Sequence, residues 1–457
     1  MLLGALALVA CGAPSEQSNV ASEDVRAAGL DSASSYTCYV DGGSVGAFPV
    51  GHTSFVITTE AGRPIAVSVF YPAEARHITV QTPEAVYVMD PYTSQVPPTT
   101  SSGWEALGYD RAYESPAPEH GPFPLVMFSS GATVPGYSYL FLGTRLASHG
   151  YVVAVVEHVN EMQWINTPWD GIVAAGYHRP RDISLALTEI LRRNGARGDL
   201  LFRTIDEGHL VAAGHSFGGY AAWTLMGGDD QVCDPVGFLD GLSDADIAAY
   251  CRPSPPDRRF GTVFTLDGSA QVLRFEELAR VHTPSLVMGQ AAWADEANTY
   301  LGPEYYTFVA RPHAAMAPWG RSVRVDIAGT DHFSFTNICA GIAVLNAQGS
   351  LSQSDYAYYY DWDSCGINVE TREIHRRITK YVVGFLDTQF KKRSESEARR
   401  ILTQADVLAN EPNVELYWEE RWGDLSCTMA TPTTFTYHQD MRPRACLVAD
   451  KNPVAFF

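Results

Sequence analysis

The sequence predicts an α/β fold, a mostly parallel central sheet with helices on both faces, and three observations point to it. Short β-branched apolar runs recur along the chain, several of them continuous rather than alternating, as strands buried on both faces are. Helical repeats lie between these runs. A strand, a Gly-x-Ser-x-Gly turn and a helix follow one another near the middle. With 46% hydrophobic and 18% charged residues, the chain has the material for a large core.

The elements follow in order. The runs from His52 to Thr58 and from Pro64 to Tyr71 open the sheet as an antiparallel pair. Parallel strands then follow at Pro124 to Phe128, Tyr151 to Val156, His209 to Ala213, Gly261 to Leu266, Pro284 to Met288 and Val323 to Ala328. A helix starting at Pro180 carries Ile183, Leu187, Ile190 and Leu191 on one face. A later helix repeats Ile374, Ile378, Tyr381, Val382 and Phe385 at helical spacing. No internal repeat is visible, and 457 residues fit one large unit over 38–390, with a Cys-bounded insertion over 233–251. Residues 391–457 read as a helix-then-loop extension.

The first ten residues are apolar and uncharged, too short for a bilayer span of about 20 residues, and read as the core of a signal peptide. Leu8-Val9-Ala10-Cys11 looks like a bacterial lipobox, although no Lys or Arg precedes it. On that reading residues 1–11 are the signal with its lipobox cysteine, Cys11 is acylated, and 12–37 form a flexible tether. The protein would be exported and held at a membrane by its lipid; plain secretion is the simpler alternative. Export makes disulfides the default, and proximity suggests Cys233 with Cys251, Cys339 with Cys365 and Cys427 with Cys446, leaving Cys38 over. No CxxC or HExxH pattern supports a metal, and no cofactor motif is present. A net charge of -20 argues against nucleic acid and leaves a neutral or zwitterionic ligand as the easier one to admit.

The chemistry centres on His209-Leu-Val-Ala-Ala-Gly214-His215-Ser216-Phe217-Gly218-Gly219. A tight strand-to-helix turn presents Ser216, and side chains at positions 214 and 218 would strike neighbouring backbone. A second match, Gly42-Gly43-Ser44-Val45-Gly46, has neither strand before it nor helix after it and reads as an ordinary turn. A serine needs a base, and the base an orienting acid. His332, in the loop after the strand ending at Ala328, is the best-placed base. His313, His282 and His209 are worse placed, and His215 reads as a packing residue inside the turn. For the acid, Asp267 at a strand end is favoured over Asp295, which lies further beyond its strand. The oxyanion would be met by backbone N–H groups of Phe217 and of Ala132, in the Ser130-Gly131-Ala132 loop.

Four stretches carry a family likeness: Phe123-Pro-Leu-Val-Met-Phe-Ser-Ser-Gly131, Leu146-Ala-Ser-His-Gly-Tyr-Val-Val-Ala-Val-Val-Glu-His158, Arg179-Pro-Arg-Asp182 and Gly214-His-Ser-Phe-Gly-Gly219. With them the chain resembles the α/β-hydrolases of the type II platelet-activating-factor acetylhydrolase and dienelactone-hydrolase-like group. That family usually has His-Gly where this chain has Ser130-Gly131, and the 233–251 insertion and the Cys-containing tail are extra. The resemblance implies an α/β-hydrolase fold and metal-free hydrolysis of carboxylic esters with short or oxidised acyl chains. Ser216 would be the nucleophile, His332 the base, Asp267 the acid, and Phe217 and Ala132 the oxyanion donors. Substrate choice is expected to lie in the insertion, the tail and the Tyr/Pro-rich loop over 86–120, with Trp164 and Trp169 as candidate pocket walls. A polyester or aryl-ester hydrolase, or a non-catalytic binding lipoprotein on the same scaffold, are the alternative readings.

Overall fold

The computed structural model describes residues 42–88, 98–132, 134–158, 170–233, 242–270, 273–290, 309, 311–316, 321–350, 352–354, 371–391, 402, 411 and 414–418. The chain divides into units Met1–Val40 and Asp41–Phe457, and all described residues belong to the second. Cys11, Cys38, Trp164, Trp169, Asp295, Cys365, Cys427 and Cys446 lie outside the described residues.

Ten strands form the main sheet: β1 (Val50–Thr58), β2 (Pro64–Pro72), β3 (Ala112–Glu114), β4 (Phe123–Ser129), β5 (Val152–His158), β6 (Ile205–His215), β7 (Thr262–Leu266), β8 (Ser285–Gln290), β9 (Ser322–Ile327) and β10 (Val414–Trp418). Their spatial order is β10-β9-β8-β7-β6-β4-β5-β2-β1-β3. From β5 to β9 every pairing is parallel, whereas β1 with β2, β2 with β5 and β9 with β10 are antiparallel. The chain goes from β4 outward to β5 and then crosses back to place β6 on β4's other side. That reversal opens a crevice at the carboxyl ends of β4 and β6, where ligands bind in open α/β sheets.

Six helices matter here: α1 (Leu140–Ser148), α2 (Asp170–Gly195), α3 (Phe217–Leu225), α4 (Asp244–Tyr250), α5 (Ile338–Ala347) and α6 (Thr371–Phe390). Successive strand residues point to opposite faces, and both faces are covered. Val126, Phe128, Val211, Ala213, Phe264 and Leu266 join α1 and α6 residues in one core. Leu125, Met127, Leu210, Ala212 and Val263 join α2 and α3 residues in the other. The stripe expected on α6, from Ile374 to Phe385, is buried throughout.

Three expectations are corrected. Helix α2 begins at Asp170, ten residues before Pro180, which lies inside it. The ring removes one backbone donor, and the Arg181 guanidinium donates to the Tyr177 carbonyl in the turn before the proline. The 391–457 segment is not only helix and loop, because Val414–Trp418 pairs with β9 as an edge strand, with Val325 opposite Leu416. The 86–120 segment is not one loop, for it holds the paired Val86–Tyr87 and Thr99–Thr100, a short helix Ser101–Glu105 and β3. The Cys233–Cys251 disulfide is present, with the two Cα atoms 5.3 Å apart, and Cys339 is disulfide-bonded too. No described helix is long and apolar enough to cross a membrane.

Candidate active site

Three loops at the carboxyl edge of the sheet supply the site. The first follows β6, where Ser216 has φ 51° and ψ -126°, a conformation L-residues avoid. The surroundings impose it. The Ser216 carbonyl accepts from Ser269 N–H and Gly219 N–H, both at 2.8 Å, and its own N–H donates to the Leu266 carbonyl at 3.3 Å. A Cβ on Gly214 would stand 2.2 Å from the Gly218 oxygen, and one on Gly218 would stand 2.0 Å from the Ser129 oxygen. Both glycines are therefore required by close approach, as the motif predicts. The Gly42–Gly46 match is a turn, as expected, tied to the end of α1 by Arg145 donating to the Gly43 carbonyl at 2.5 Å and His149 to the Ser44 carbonyl at 2.8 Å.

The second loop follows β9. Asp331 caps a short 3-10 helix, His332–Phe335, by accepting from Ser334 N–H at 2.8 Å, and this fixes the approach of His332. The His332 Nε2 lies 2.8 Å from Ser216 Oγ, and its Nδ1 lies 2.6 Å from Asp267 Oδ2. The third loop follows β7. Asp267 is fully buried, at φ 44°, with its N–H donating to the Met288 carbonyl at 2.6 Å. Carboxylate, imidazole and hydroxyl thus form one chain from the interior to the crevice, with the His332 side chain 22% exposed at its outer end. The structure brings Ser216, His332 and Asp267 together.

The other histidines fall elsewhere. His313 is buried beside Ser322 Oγ at 3.0 Å, and burial pushes its pKa down to about 4. His209 sits in the first half of β6, away from the site, with Asp206 2.7 Å from it, and His282 is exposed. His215 is buried, but it also makes hydrogen bonds: Nδ1 to Tyr139 Oη at 2.9 Å and Nε2 to the His332 carbonyl at 3.0 Å.

The Ser130-Gly131-Ala132 loop lies at the end of β4, against the nucleophile turn. Neither the Ala132 N–H nor the Phe217 N–H has a hydrogen-bond partner among the described residues. Such donors are open to a ligand oxygen. Fully buried Arg179 donates to the Ser130 carbonyl and, at 3.1 Å, to the Gly131 carbonyl, and its guanidinium lies 5.2 Å from the Phe217 ring centre. Behind it Asp182 accepts from Arg63 and from His158 Nδ1 at 3.1 Å, while His158 Nε2 meets Ser129 Oγ at 2.9 Å. Burial alone would raise the Asp182 pKa, but the Arg63 and His158 hydrogen bonds hold it below the ordinary range.

Sequence reasoning missed Gln290. Fully buried at the end of β8, it donates to Asp267 from its side chain at 3.2 Å and from its backbone at 3.4 Å. A polar residue closing an apolar strand was the available signal. It also missed the holding roles of Arg179 and Asp182, which lie in the ionisable run His178-Arg179-Pro180-Arg181-Asp182 within a helix that packs on the sheet. Beyond them α4, in the disulfide-bounded insertion, rests on α2, with the Tyr250 ring 5.8 Å from Tyr177 and 5.7 Å from His178.

Among known proteins, residues 40–169 match the family model of platelet-activating factor acetylhydrolase, isoform II. A ferulic acid esterase from Streptomyces cinnamoneus is a structural neighbour at 20% identity and TM-score 0.43, covering 75% of this chain and 89% of that one. No curated protein sequence matches significantly. The mostly parallel sheet and the strand–turn–helix around Ser216 give the chain an α/β-hydrolase fold, and over residues 40–169 it is similar to platelet-activating factor acetylhydrolase, isoform II.

Proposed function

We propose that the chain is a serine carboxylic ester hydrolase that works through an acyl-enzyme, with short-chain phospholipid or similar esters as substrates. The observation that carries the reading is the Asp267–His332–Ser216 chain at 2.6 and 2.8 Å on a strained turn. Ser216 Oγ bonds to the ester carbonyl carbon while its proton passes to His332 Nε2. Asp267 accepts from Nδ1–H, so the imidazole keeps the tautomer whose Nε2 is free to take that proton. The tetrahedral oxyanion is received by the Phe217 and Ala132 N–H groups; losing one such donor typically costs about 10² to 10³ in rate. His332 returns the proton to the departing alkoxide, the alcohol leaves, and water, activated by the same Nε2, splits the acyl-enzyme to the free acid. None of these steps calls for a metal or cofactor.

Acylated Cys11 at the lipobox is the proposed anchor of an exported lipoprotein, and the Cys233–Cys251 disulfide supports an oxidising compartment. A fluorophosphonate should label Ser216 stoichiometrically. Ser216→Ala should abolish both labelling and turnover of p-nitrophenyl acetate; turnover unaltered in that variant removes the mechanism.

A further inference from the structure

We infer that Tyr139 and His215 are positioning residues that hold the oxyanion loop and the His332 loop in fixed register, an inference that rests on the proposed serine mechanism. The hydrogen-bond directions can be assigned without ambiguity. A carbonyl only accepts, so His215 Nε2, 3.0 Å from the His332 carbonyl, carries the proton. A neutral imidazole then has an acceptor at Nδ1, and the Tyr139 hydroxyl 2.9 Å away must donate to it. That same hydroxyl accepts from the Gly131 N–H at 2.8 Å. One continuous chain therefore runs from Gly131 N–H through Tyr139 Oη–H and the His215 ring to the backbone of His332.

The chain's ends are the two parts whose separation the reaction must fix. Gly131 precedes Ala132, the proposed oxyanion donor, and the His332 carbonyl belongs to the proposed base. In the middle His215 is the residue before Ser216, so nucleophile, base and oxyanion loop are tied to one side chain. The ties are buried and close-packed. Tyr139 and His215 are fully buried, the Tyr139 ring lies 4.7 Å from Phe128, and the His215 ring lies 4.7 Å from His332. A Cβ on Gly131 would stand 2.9 Å from His215 Nδ1 and 3.2 Å from Tyr139 Oη, so glycine is what lets the loop backbone pack directly against the pair. Burial, with His332 beside it, also keeps the His215 pKa well below the usual imidazole range. The ring thus stays neutral when His332 takes its proton.

The test uses Tyr139→Phe, which deletes one hydroxyl and keeps the ring against Phe128, His215→Gln, whose amide can still donate to the His332 carbonyl, and the double variant. With p-nitrophenyl acetate, Tyr139→Phe should lower kcat by about 10-fold to 10²-fold and leave KM within about twofold, since only transition-state geometry is lost. The fluorophosphonate labelling rate should fall in proportion. His215→Gln keeps the tie to the His332 carbonyl and loses the link to Tyr139, so the double variant should be no worse than the poorer single one, because both remove the same Tyr139–His215 hydrogen bond. If Tyr139→Phe keeps kcat within about twofold, or the two losses simply multiply, the positioning role is wrong. Ser216→Ala run beside them separates the two failures: an inactive Ser216→Ala with an unaffected Tyr139→Phe sinks only the positioning role, and an active Ser216→Ala sinks the serine mechanism itself.

Discussion

Replacing Asp267 by Asn tests the site most sharply, because the neighbours of its carboxylate determine what an amide can do there. Asp267 Oδ2 receives His332 Nδ1 at 2.6 Å and Gln290 Nε2 at 3.2 Å, while Oδ1 faces the Gln290 N–H at 3.4 Å. If the new amide keeps its oxygen toward His332, the tautomer survives, and its NH2 meets the Gln290 N–H donor to donor. What is then lost is the charge that stabilises the imidazolium. A carboxylate with its charge about 4 Å from the imidazolium's contributes about 4 kcal/mol at an effective dielectric constant of 20, or about 10³ in rate. If instead the NH2 turns toward His332, the Gln290 amide can turn with it, since its Oε1 has no partner among the described residues. Nδ1 must then accept, Nε2 carries the proton, and the base is lost, a change worth about 10⁴ where it has been measured in a serine protease. Either way kcat for p-nitrophenyl acetate should fall by about 10³ to 10⁴ with the fold intact by circular dichroism. A fall of less than about 10-fold, or a larger fall in Asp295→Asn, would show that Asp267 is not the acid.

Two further outcomes concern stability. Ser216→Gly and Ser216→Ala both lack the hydroxyl, but only glycine relaxes at φ 51°, so the glycine variant should be the more stable by about 1 kcal/mol once its greater unfolded-state entropy is offset; equal urea midpoints would mean the turn is unstrained. Asp182 is held below its ordinary pKa in the folded state, so its contribution is complete above the unfolded value of about 3.9 and is lost as pH falls through the folded value; Asp182→Asn should cost about 3 kcal/mol near neutrality and flatten the acid limb of stability below pH about 4, and an unchanged acid limb in urea titrations would assign that limb to other carboxylates.

The parallel strands were legible because burial on both faces writes the same β-branched run whatever the neighbours are, and observed and expected bounds differ by only a few residues. The nucleophile turn was legible because any Cβ at its two glycines would stand 2.0 to 2.2 Å from a backbone oxygen, a constraint that survives in sequence as spacing. Helix α2 was misjudged at its start because proline suits a first helical turn so well that it masked the turns before it. Edge strand β10 was hidden for a different reason. Val414–Trp418 is short and pairs on one side only, and Glu411 ahead of it is held by Arg376 and Lys380 of α6, a tie between positions 31 and 35 residues apart that no local pattern carries. Tyr139 was invisible for the same reason, since it matters through partners far away in the chain, whereas Gln290 showed only as a polar residue closing an apolar strand.

Backbone strain gives an independent pointer to the site. Among the described residues only Ser115, Arg203, Ser216 and Asp267 are non-glycine residues at positive φ, and two of these four end the neighbouring strands β6 and β7. Such conformations persist only where the surroundings overdetermine them. At Ser216 the fixing bonds come from Ser269, Gly219 and Leu266, and at Asp267 from Met288 and Gln290, so the nucleophile turn is clamped by the loop of the acid and that loop by the next strand. A fold seeking stability alone has no use for a buried carboxylate in a left-handed conformation beside a strained serine. The expense is rational if the positions of Ser216 and Asp267 relative to His332 are what the sheet edge is built to hold.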